Sequence, residues 1–444
     1  MAALVVLAAS SSAQAPPAVV GKYNGPGGCA AASCHGSVQP KTTTRVLQNE
    51  YTIWIAQDKH ATSFNKLSNP VSLRMGRILK LEKPPNQETK CLVCHALYVP
   101  SEKRAQSFDM GEGVSCESCH GPASGWLGQH TVKDWPHEKS VSDLGMVDLR
   151  DYAHRTERCL TCHVGTAEKY VDHEMIAAGH PDLTFELDVF SAQMPRHWKS
   201  SQDDGWHLVQ AWAVGASVQL RESLNRLSRR AAAPNWPEFA ELDCFACHHS
   251  LTSPEDSWRQ DLWAKQGWYQ DLAQQEKQVA QGSGTPRTAP WNQSRNAVLE
   301  SLAQEIAPEE EKQLSEEMRK LELSIGEEGN KNEISAAATR AAGLADQLAK
   351  RAAAQNYDRA LTLKLMRRIA QDDTIPVLDE RAAEQAAMCL DSLFTAYDAD
   401  AKPANRADIR AAIDGLYQQV DKMPSSYSAP RFAAQLKRVG QLLE

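Results

Sequence analysis

The chain has 444 residues, enough for two or three domains and for a buried core that needs no covalent cross-links. Its 56 acidic residues outnumber its 48 basic ones, which gives a formal net charge of -8 at pH 7. A nucleic-acid-binding protein would normally show a basic patch or stripe, so this balance argues against that class and is compatible with docking on basic partners.

The N-terminus, "MAALVVLAASSSAQAPPAVVGKYNG", has a short apolar run followed by small residues that end in Ala13-Gln14-Ala15. This pattern resembles a secretory signal, although no Lys or Arg precedes the apolar run. The alternative is an unstructured N-terminus. No later run reaches the roughly 18 apolar residues of a membrane helix. We therefore expect residues 1–20 to be a signal-like export segment, with a mature protein that is periplasmic or otherwise exported and spans no membrane.

Five cysteine pairs, each followed at once by a histidine, recur between residues 29 and 248. Four pairs have two residues between the cysteines, and the first, in "CAAASCH", has four. In chain order the motifs contain Cys29, Cys34 and His35; Cys91, Cys94 and His95; Cys116, Cys119 and His120; Cys159, Cys162 and His163; and Cys244, Cys247 and His248.

Three interpretations of these motifs compete. Disulfides suit an exported protein but impose no need for histidine at the next position. Zinc knuckles use C-x-x-C, but a zinc site needs four ligands from two knuckles and does not require each knuckle to end in histidine. The third interpretation is covalent haem attachment, whose signature is C-x-x-C-H. Histidine makes up 14 of the 444 residues, so five chance coincidences would have a probability on the order of 10^-8.

Haem chemistry explains the spacing within each motif. Two thiols add to two vinyl groups on one edge of the macrocycle, and the next residue places its imidazole under the iron as the proximal ligand. The longer spacer in "CAAASCH" must bulge to reach the same two groups. An alternative is that Cys34 alone is bonded and Cys29 is free. The sequence thus predicts five covalently attached haem c groups, or fewer if the Cys29/Cys34 site is not used.

Nine histidines outside the motifs are candidates for the opposite face of each iron. Iron that only carries electrons is usually closed on both faces, whereas iron that binds substrate keeps one face open. The stronger candidates are His60, His130, His154, His173 and His180. The seven-residue spacing of His173 and His180 would put both on one side of a helix that Gly179 and Pro181 end. We expect solvated or outer roles for His137, His197, His207 and His249, and Met110, Met175 and Met194 remain alternatives.

The segments "GVSCESCHGP", "HRTERCLTCH" and "HEMIAAGHPDLTFEL" resemble multihaem c-type cytochromes of the family typified by tetrahaem cytochrome c-554, the electron acceptor of hydroxylamine oxidoreductase. The resemblance covers roughly residues 25–250. It implies a mainly helical fold with long loops and closely packed haems. It also implies that His60 caps the haem of His120, His130 that of His163, and His154 that of His35, leaving the haem of His95 open. The longer first spacer, the fifth motif, and His173 and His180 depart from the family pattern.

The second half of the chain changes in composition. Residues 206–230 have the pattern of one amphipathic helix, and residues 281–290, "QGSGTPRTAP", have that of a linker. Beyond 291, Leu390, Leu393, Phe394 and Tyr397 recur at helical spacing, and Cys389 among them is expected to be a small buried residue. Residues 301–330 carry nine acidic side chains against three basic ones, either as a solvated helix face or as a docking surface for a basic redox partner.

These patterns predict a mainly α fold with long loops, in which a multihaem cytochrome c domain precedes an α-helical C-terminal domain. The predicted boundaries are a signal-like segment at 1–20, the haem domain at 21–255, a linker at 256–290 and the helical domain at 291–444. The favoured function is single-electron transfer between redox partners, such as a basic cytochrome or a membrane complex that oxidises quinol. The alternatives are an enzyme whose one open haem acts on a small nitrogen or sulfur compound, and a subunit of a larger respiratory complex.

Overall fold

The computed structural model describes residues 21–199, 205–244, 291–326, 330–420 and 427–444. These residues are mostly helical and contain no strand, only the isolated bridges Tyr23–Arg104 and Leu242–Trp291. The predicted mainly α fold class is therefore confirmed. The signal-like segment 1–20, the linker 256–290, and Cys247, His248 and His249 lie outside the described residues.

The helices of residues 21–199 are short and joined by long loops, as the dense Gly and Pro punctuation predicts. Their bounds are Glu50–Gln57 (α1), Ser63–Lys66 (α2), Pro70–Ile78 (α3), Thr89–His95 (α4), Cys116–His120 (α5), His137–Leu144 (α6), Tyr152–His163 (α7), His173–Ala177 (α8) and Leu187–Gln193 (α9). Single 3-10 turns such as Pro85–Gln87 and Ala123–Gly125 lie between some of them.

Nine further helices, several of them much longer, lie in the rest of the described chain. They are Trp206–Ala231 (α10), Leu299–Ile306 (α11), Pro308–Gly326 (α12), Lys331–Ala354 (α13), Arg359–Ala370 (α14), Ile375–Leu378 (α15), Glu380–Ala401 (α16), Arg406–Val420 (α17) and Ala429–Leu442 (α18). The long helix α10 packs along α13 and also contacts α7, α9 and α16. None of the helices in the described ranges combines the length and apolarity that crossing a bilayer needs.

The apolar core is unevenly distributed along the chain. One large cluster of buried side chains begins at Leu160 in α7 and extends through α10 to Leu443. A second cluster contains only Leu67, Leu92 and Ala96. Helices α1–α6 contribute no buried side chain to the large cluster, so the described N-terminal half has little protein core of its own. The first four of the five predicted haem-attachment motifs lie in this half.

Several local predictions can be compared with these helices. The amphipathic helix predicted at 206–230 is confirmed by α10, and Cys389 is buried as expected. The single helix predicted to carry His173 and His180 is wrong. Helix α8 ends at Ala177, and Gly179 follows in a left-handed conformation with φ of 110°, so His180 lies beyond the helix. The predicted domain boundaries stay a prediction.

Candidate haem-binding site

The motif cysteines that the structure describes are not paired with one another in disulfides. All nine motif cysteines in the described ranges are free thiols. Nor does any group of three or more His, Cys, Asp or Glu side chains in those ranges converge as a single-ion site. The disulfide and zinc interpretations therefore gain no support from the arrangement of the side chains.

Three of the motifs lie at the C-terminal ends of helices. Helices α4, α5 and α7 end at the motif histidines His95, His120 and His163. Within one helical turn, residues three apart share a face, so the two cysteines of each of these motifs project the same way. Leu160, between the cysteines of the fourth motif, is only 1% exposed and fixes that turn against the large core.

Cysteines of different motifs lie next to each other. Cys116 lowers the pKa of the Cys29 thiol, and Cys94 lowers that of the Cys162 thiol to about 6, so the members of each pair lie close together. Burial, with the nearby Cys162, raises the pKa of Cys119 to about 11. The first four motifs therefore follow one another in space in the order first, third, fourth, second.

Three pairs of imidazole rings face each other at nearly the same separation. The ring centroids are 6.3 Å apart for His35 and His130, 6.1 Å for His60 and His163, and 6.4 Å for His95 and His180. The planes of the first pair are nearly parallel, at 9°, and those of the other two are perpendicular, at 90° and 87°. Each pair joins a motif histidine to a histidine from outside the motifs.

These separations fit two imidazoles on one iron. A metal–imidazole bond is about 2 Å long and a ring nitrogen lies roughly 1.1 Å from its centroid, so the two centroids are expected about 6 Å apart. Rotation of either ring about the axis that joins them leaves this distance unchanged. The parallel pair and the two perpendicular pairs therefore meet the same requirement.

The Nδ1 atom of most of these rings already has a partner. His35 Nδ1 lies 2.9 Å from Glu50 Oε2, and His60 Nδ1 lies 3.0 Å from Asp58 Oδ1. The other tethers are backbone carbonyls: Ser63 for His95, Trp126 for His130 and Pro181 for His180, at 2.7–3.2 Å. A hydrogen bond at Nδ1 fixes the ring and leaves Nε2 for a metal, which is the usual arrangement around metal-bound histidine.

His120 has a different environment. Burial lowers its pKa to about 4, and the nearby His197 adds to the effect, so the ring is neutral near pH 7, the form that binds a metal. His197 has its Nδ1 3.1 Å from the Pro195 carbonyl oxygen, the same type of tether as the paired histidines. Sequence reasoning gave His197 only an outer role, because a lone histidine in "QMPRHWKS" has no local pattern.

His154 and His173 are not part of the three ring pairs. His154 lies on α7 with 55% of its side chain exposed, and its Nδ1 is 4.0 Å from Asp151 Oδ1. The His173 ring packs against Phe239, with centroids 5.8 Å apart, and its backbone N–H donates to Glu238. Cys244, the first cysteine of the fifth motif, follows Glu238 and Phe239 in the chain. The Cys244 thiol lies near Asp182, which is two residues after His180. His173 therefore contacts the segment that leads to the fifth motif, whose histidine is outside the described residues.

The ring pairs correct what the family resemblance implied. His60 faces His163 and not His120, and His130 faces His35 and not His163. The place expected for His154, opposite His35, is taken by His130. The site of His95, implied to be open, has His180 opposite it.

Comparison with known proteins adds to this geometry. Residues 29–121, which contain the first three motifs, match the family model described as cytochrome c554 and c-prime. Cytochrome c-554 from Nitrosomonas europaea is 31% identical over 115 residues, which make up 24% of this chain and 48% of that protein. The chain thus spans about half the length of this curated relative, and no solved structure matches it. The predicted resemblance to a multihaem c-type cytochrome of this family is confirmed.

Proposed function

We propose that this chain is an exported pentahaem c-type cytochrome that passes single electrons between redox partners. Its cysteine pairs would hold five haem c groups, and His35, His95, His120, His163 and His248 would bind the irons from one face. Bound haem supplies one-electron chemistry at iron. The protein residues hold the groups close together, set the ligands and exclude water.

The observation that carries this proposal is the set of three facing imidazole pairs. Six-coordinate iron with two imidazole ligands has no free face for substrate, which suits an electron carrier. The nearly equal centroid separations, together with the Nδ1 tethers, support such ligation at the first, second and fourth motifs. The continuous run of neighbouring motif cysteines supports transfer along a chain of haems.

The remaining ligands are proposed from what each candidate contacts. His197 lies near His120 and is proposed for the iron of His120. His173 packs on Phe239, in the segment that leads to the fifth motif, and is proposed for the iron of His248. The enzyme alternative requires an open iron, which it placed at His95. Because His180 faces the His95 ring, the second motif no longer supports an open site.

We also propose the domain arrangement in which residues 21–255 hold the haems and residues 291–444 support them. Helix α10 belongs to the first part and packs against α13 and α16 of the second part, so it connects the two. The buried Arg226, on α10, pairs with Glu241, with Nε–Oε1 at 2.8 Å, just ahead of the fifth motif.

Haem count and iron spin state test the proposal together. An alkaline pyridine spectrum combined with the intact mass of exported protein should give five covalent haems, and the ferric protein should be low-spin and inert to carbon monoxide after reduction. A count of four haems would indicate that no haem is attached at Cys29 and Cys34. A colourless protein, or one that loses its pigment to acidified organic solvent, would overturn the function as a whole. A high-spin signal would restore the enzyme alternative.

A further inference from the structure

An exposed basic segment stands out in a chain with a net charge of -8. Residues 66–83, "KLSNPVSLRMGRILKLEK", contain five basic residues and one acidic residue. Lys66, Arg74, Arg77, Lys80 and Lys83 are all exposed. No carboxylate in the described part of the chain forms an ion pair with any of them.

Aliphatic side chains lie among these cations. Val71, Leu73 and Ile78 on α3 are 61%, 39% and 50% exposed. They are three of the eight large hydrophobic side chains that are exposed in the described ranges. Burial on α3 is limited to Ser72 and Gly76. Helix α3 and the residues 66–83 around it thus present an outer surface of mixed aliphatic and cationic side chains, which we call the α3 face.

The α3 face lies beside the second motif. A Cβ on Gly76 would lie 3.1 Å from Pro85, so α3 packs closely on the turn Pro85–Gln87, which leads directly into α4 and its Cys91, Cys94 and His95. Met75 of α3 lies 4.0 Å from a Cβ placed on Gly179, next to His180. The helix therefore lies close to the segments that carry both rings of the His95–His180 pair.

We propose that the α3 face is the docking surface for a small acidic redox protein that exchanges electrons at the second motif. Clustered cations without partners attract an acidic surface and raise the rate of encounter, and a few aliphatic side chains exclude water once the two surfaces meet. The position beside His95 and His180 gives such a partner a short approach to that site. The inference deepens the proposed electron-transfer function and rests on it.

An anionic membrane is the other class of surface that cations attract, but the α3 face fits it less well. Helices that lie in a membrane interface present a large apolar face with aromatic anchors. Helix α3 has no aromatic residue, and its close packing at Gly76 commits one side of it to protein.

The test is a binding measurement on the haem-loaded full chain with an acidic flavodoxin as the probe. Wild-type protein should bind the flavodoxin with an affinity that falls as salt is raised. If the overall charge of -8 governed association instead, binding would be absent or would strengthen with salt. The triple variant R74E/R77E/K80E should weaken binding by at least about tenfold at low salt and flatten the salt dependence.

A matched control is available on α18. Arg431, Lys437 and Arg438 are also exposed and lack an ion-pair partner in the described structure, and R431E/K437E/R438E makes the same change in net charge. Its affinity should stay within about twofold of wild type. Equal losses in the two triple variants, or no loss in either, would overturn the proposal.

Vesicles with and without phosphatidylserine complete the experiment. Loss of vesicle binding in R74E/R77E/K80E, with flavodoxin binding unchanged, would assign the α3 face to a membrane and overturn the proposal. Unchanged haem content and thermal unfolding would show that the variants are folded. Because the assay measures binding and not electron transfer, coloured protein that fails to bind overturns only the docking surface, whereas colourless protein overturns the function.

Discussion

His35 and His130 face each other with their ring centroids 6.3 Å apart and their planes 9° from parallel. Each ring is held at its Nδ1 atom, His35 by the Glu50 carboxylate and His130 by the Trp126 carbonyl. Trp126 also packs edge-on against the His130 ring, with centroids 5.3 Å apart. Both Nε2 atoms are thus left for a metal, and neither ring can turn away without losing a hydrogen bond.

The first prediction separates this pair from the one that the family resemblance implied. Replacing His130 with glycine should leave the iron of His35 with one strong protein ligand. We expect about one haem equivalent of high-spin ferric signal by electron paramagnetic resonance, with the haem count unchanged.

His154→Gly is the control, because the resemblance implied His154 opposite His35 and the structure places it on an exposed side of α7. This variant should keep the wild-type spectrum. A high-spin signal from His154→Gly, with none from His130→Gly, would reverse the assignment.

The proposed attachment residues can be predicted from sequence because their chemistry requires them to be neighbours. Cys116 and Cys119 would have to reach one edge of a macrocycle and His120 its iron, so their relation is local and visible in five letters. The facing histidine is set only by how the chain folds back. His130 follows the third motif in sequence but faces the histidine of the first, and nothing in its local pattern records this.

The same distinction applies to the fold. Helix α10 could be predicted because its 26 residues contain many turns of apolar periodicity. Its burial extends beyond one face, since almost every residue from Ala211 to Leu220 is buried. The five residues of α5 contain little more than one turn and carry no usable periodicity. The close approach of α10 to α9 at Gly215 could not be predicted either, since an isolated glycine in a helical pattern does not reveal what lies against it.

A second prediction concerns the tether of His60. Asp58 accepts a hydrogen bond from Nδ1 of His60 and raises the pKa of the ring, mainly through that bond. A carboxylate in this position increases the electron donation of an imidazole ligand and favours the oxidised metal. Asp58→Asn should therefore raise the reduction potential of one haem, measured by a spectroscopic redox titration.

The control for this variant is Asp151→Asn, which changes the carboxylate near the exposed His154. Asparagine can still accept the hydrogen bond that Asp151 receives at the start of α7. Its titration curve should match that of wild type. An unchanged or lower potential in Asp58→Asn would contradict the assignment of His60 as a ligand.

A third prediction follows from a buried carboxyl group between the two halves. Glu186 is 5% exposed, and its oxygens accept hydrogen bonds from the backbone N–H groups of Asp188 and Val189 and from Ser392. Burial raises its pKa to about 8. The unfolded chain loses this proton near pH 4.3, about the usual value for glutamate, whereas the folded chain keeps it.

The sign of the pH dependence follows from this difference. Between about pH 4.3 and about pH 8 the folded state binds more protons at Glu186 than the unfolded state does, so this group lowers the free energy of unfolding as the pH rises. Glu186→Gln removes the contribution, and its urea midpoint should fall less than that of wild type between about pH 5 and about pH 8. Glu102→Gln, which changes an exposed carboxyl, should follow wild type. Parallel wild-type and Glu186→Gln profiles would show that Glu186 does not retain its proton.

The last prediction tests how tightly α10 is packed. A Cβ added at Gly215 would lie 2.7 Å from Cβ of Leu187, a buried residue at the start of α9, and neither backbone can move without disturbing the large core. Gly215→Ala should therefore lower the free energy of unfolding by about 1–3 kcal/mol, the usual cost of overpacking.

Gly343 lies in the middle of α13 with no atom within 4 Å of an added Cβ, so Gly343→Ala should raise stability by up to about 1 kcal/mol through helix propensity. Thermal unfolding of the two variants, with haem content as a check, should show opposite shifts, because the same methyl group meets a packed helix at Gly215 and open space at Gly343. Stabilisation of both variants would mean that α9 does not press against α10 as the structure describes.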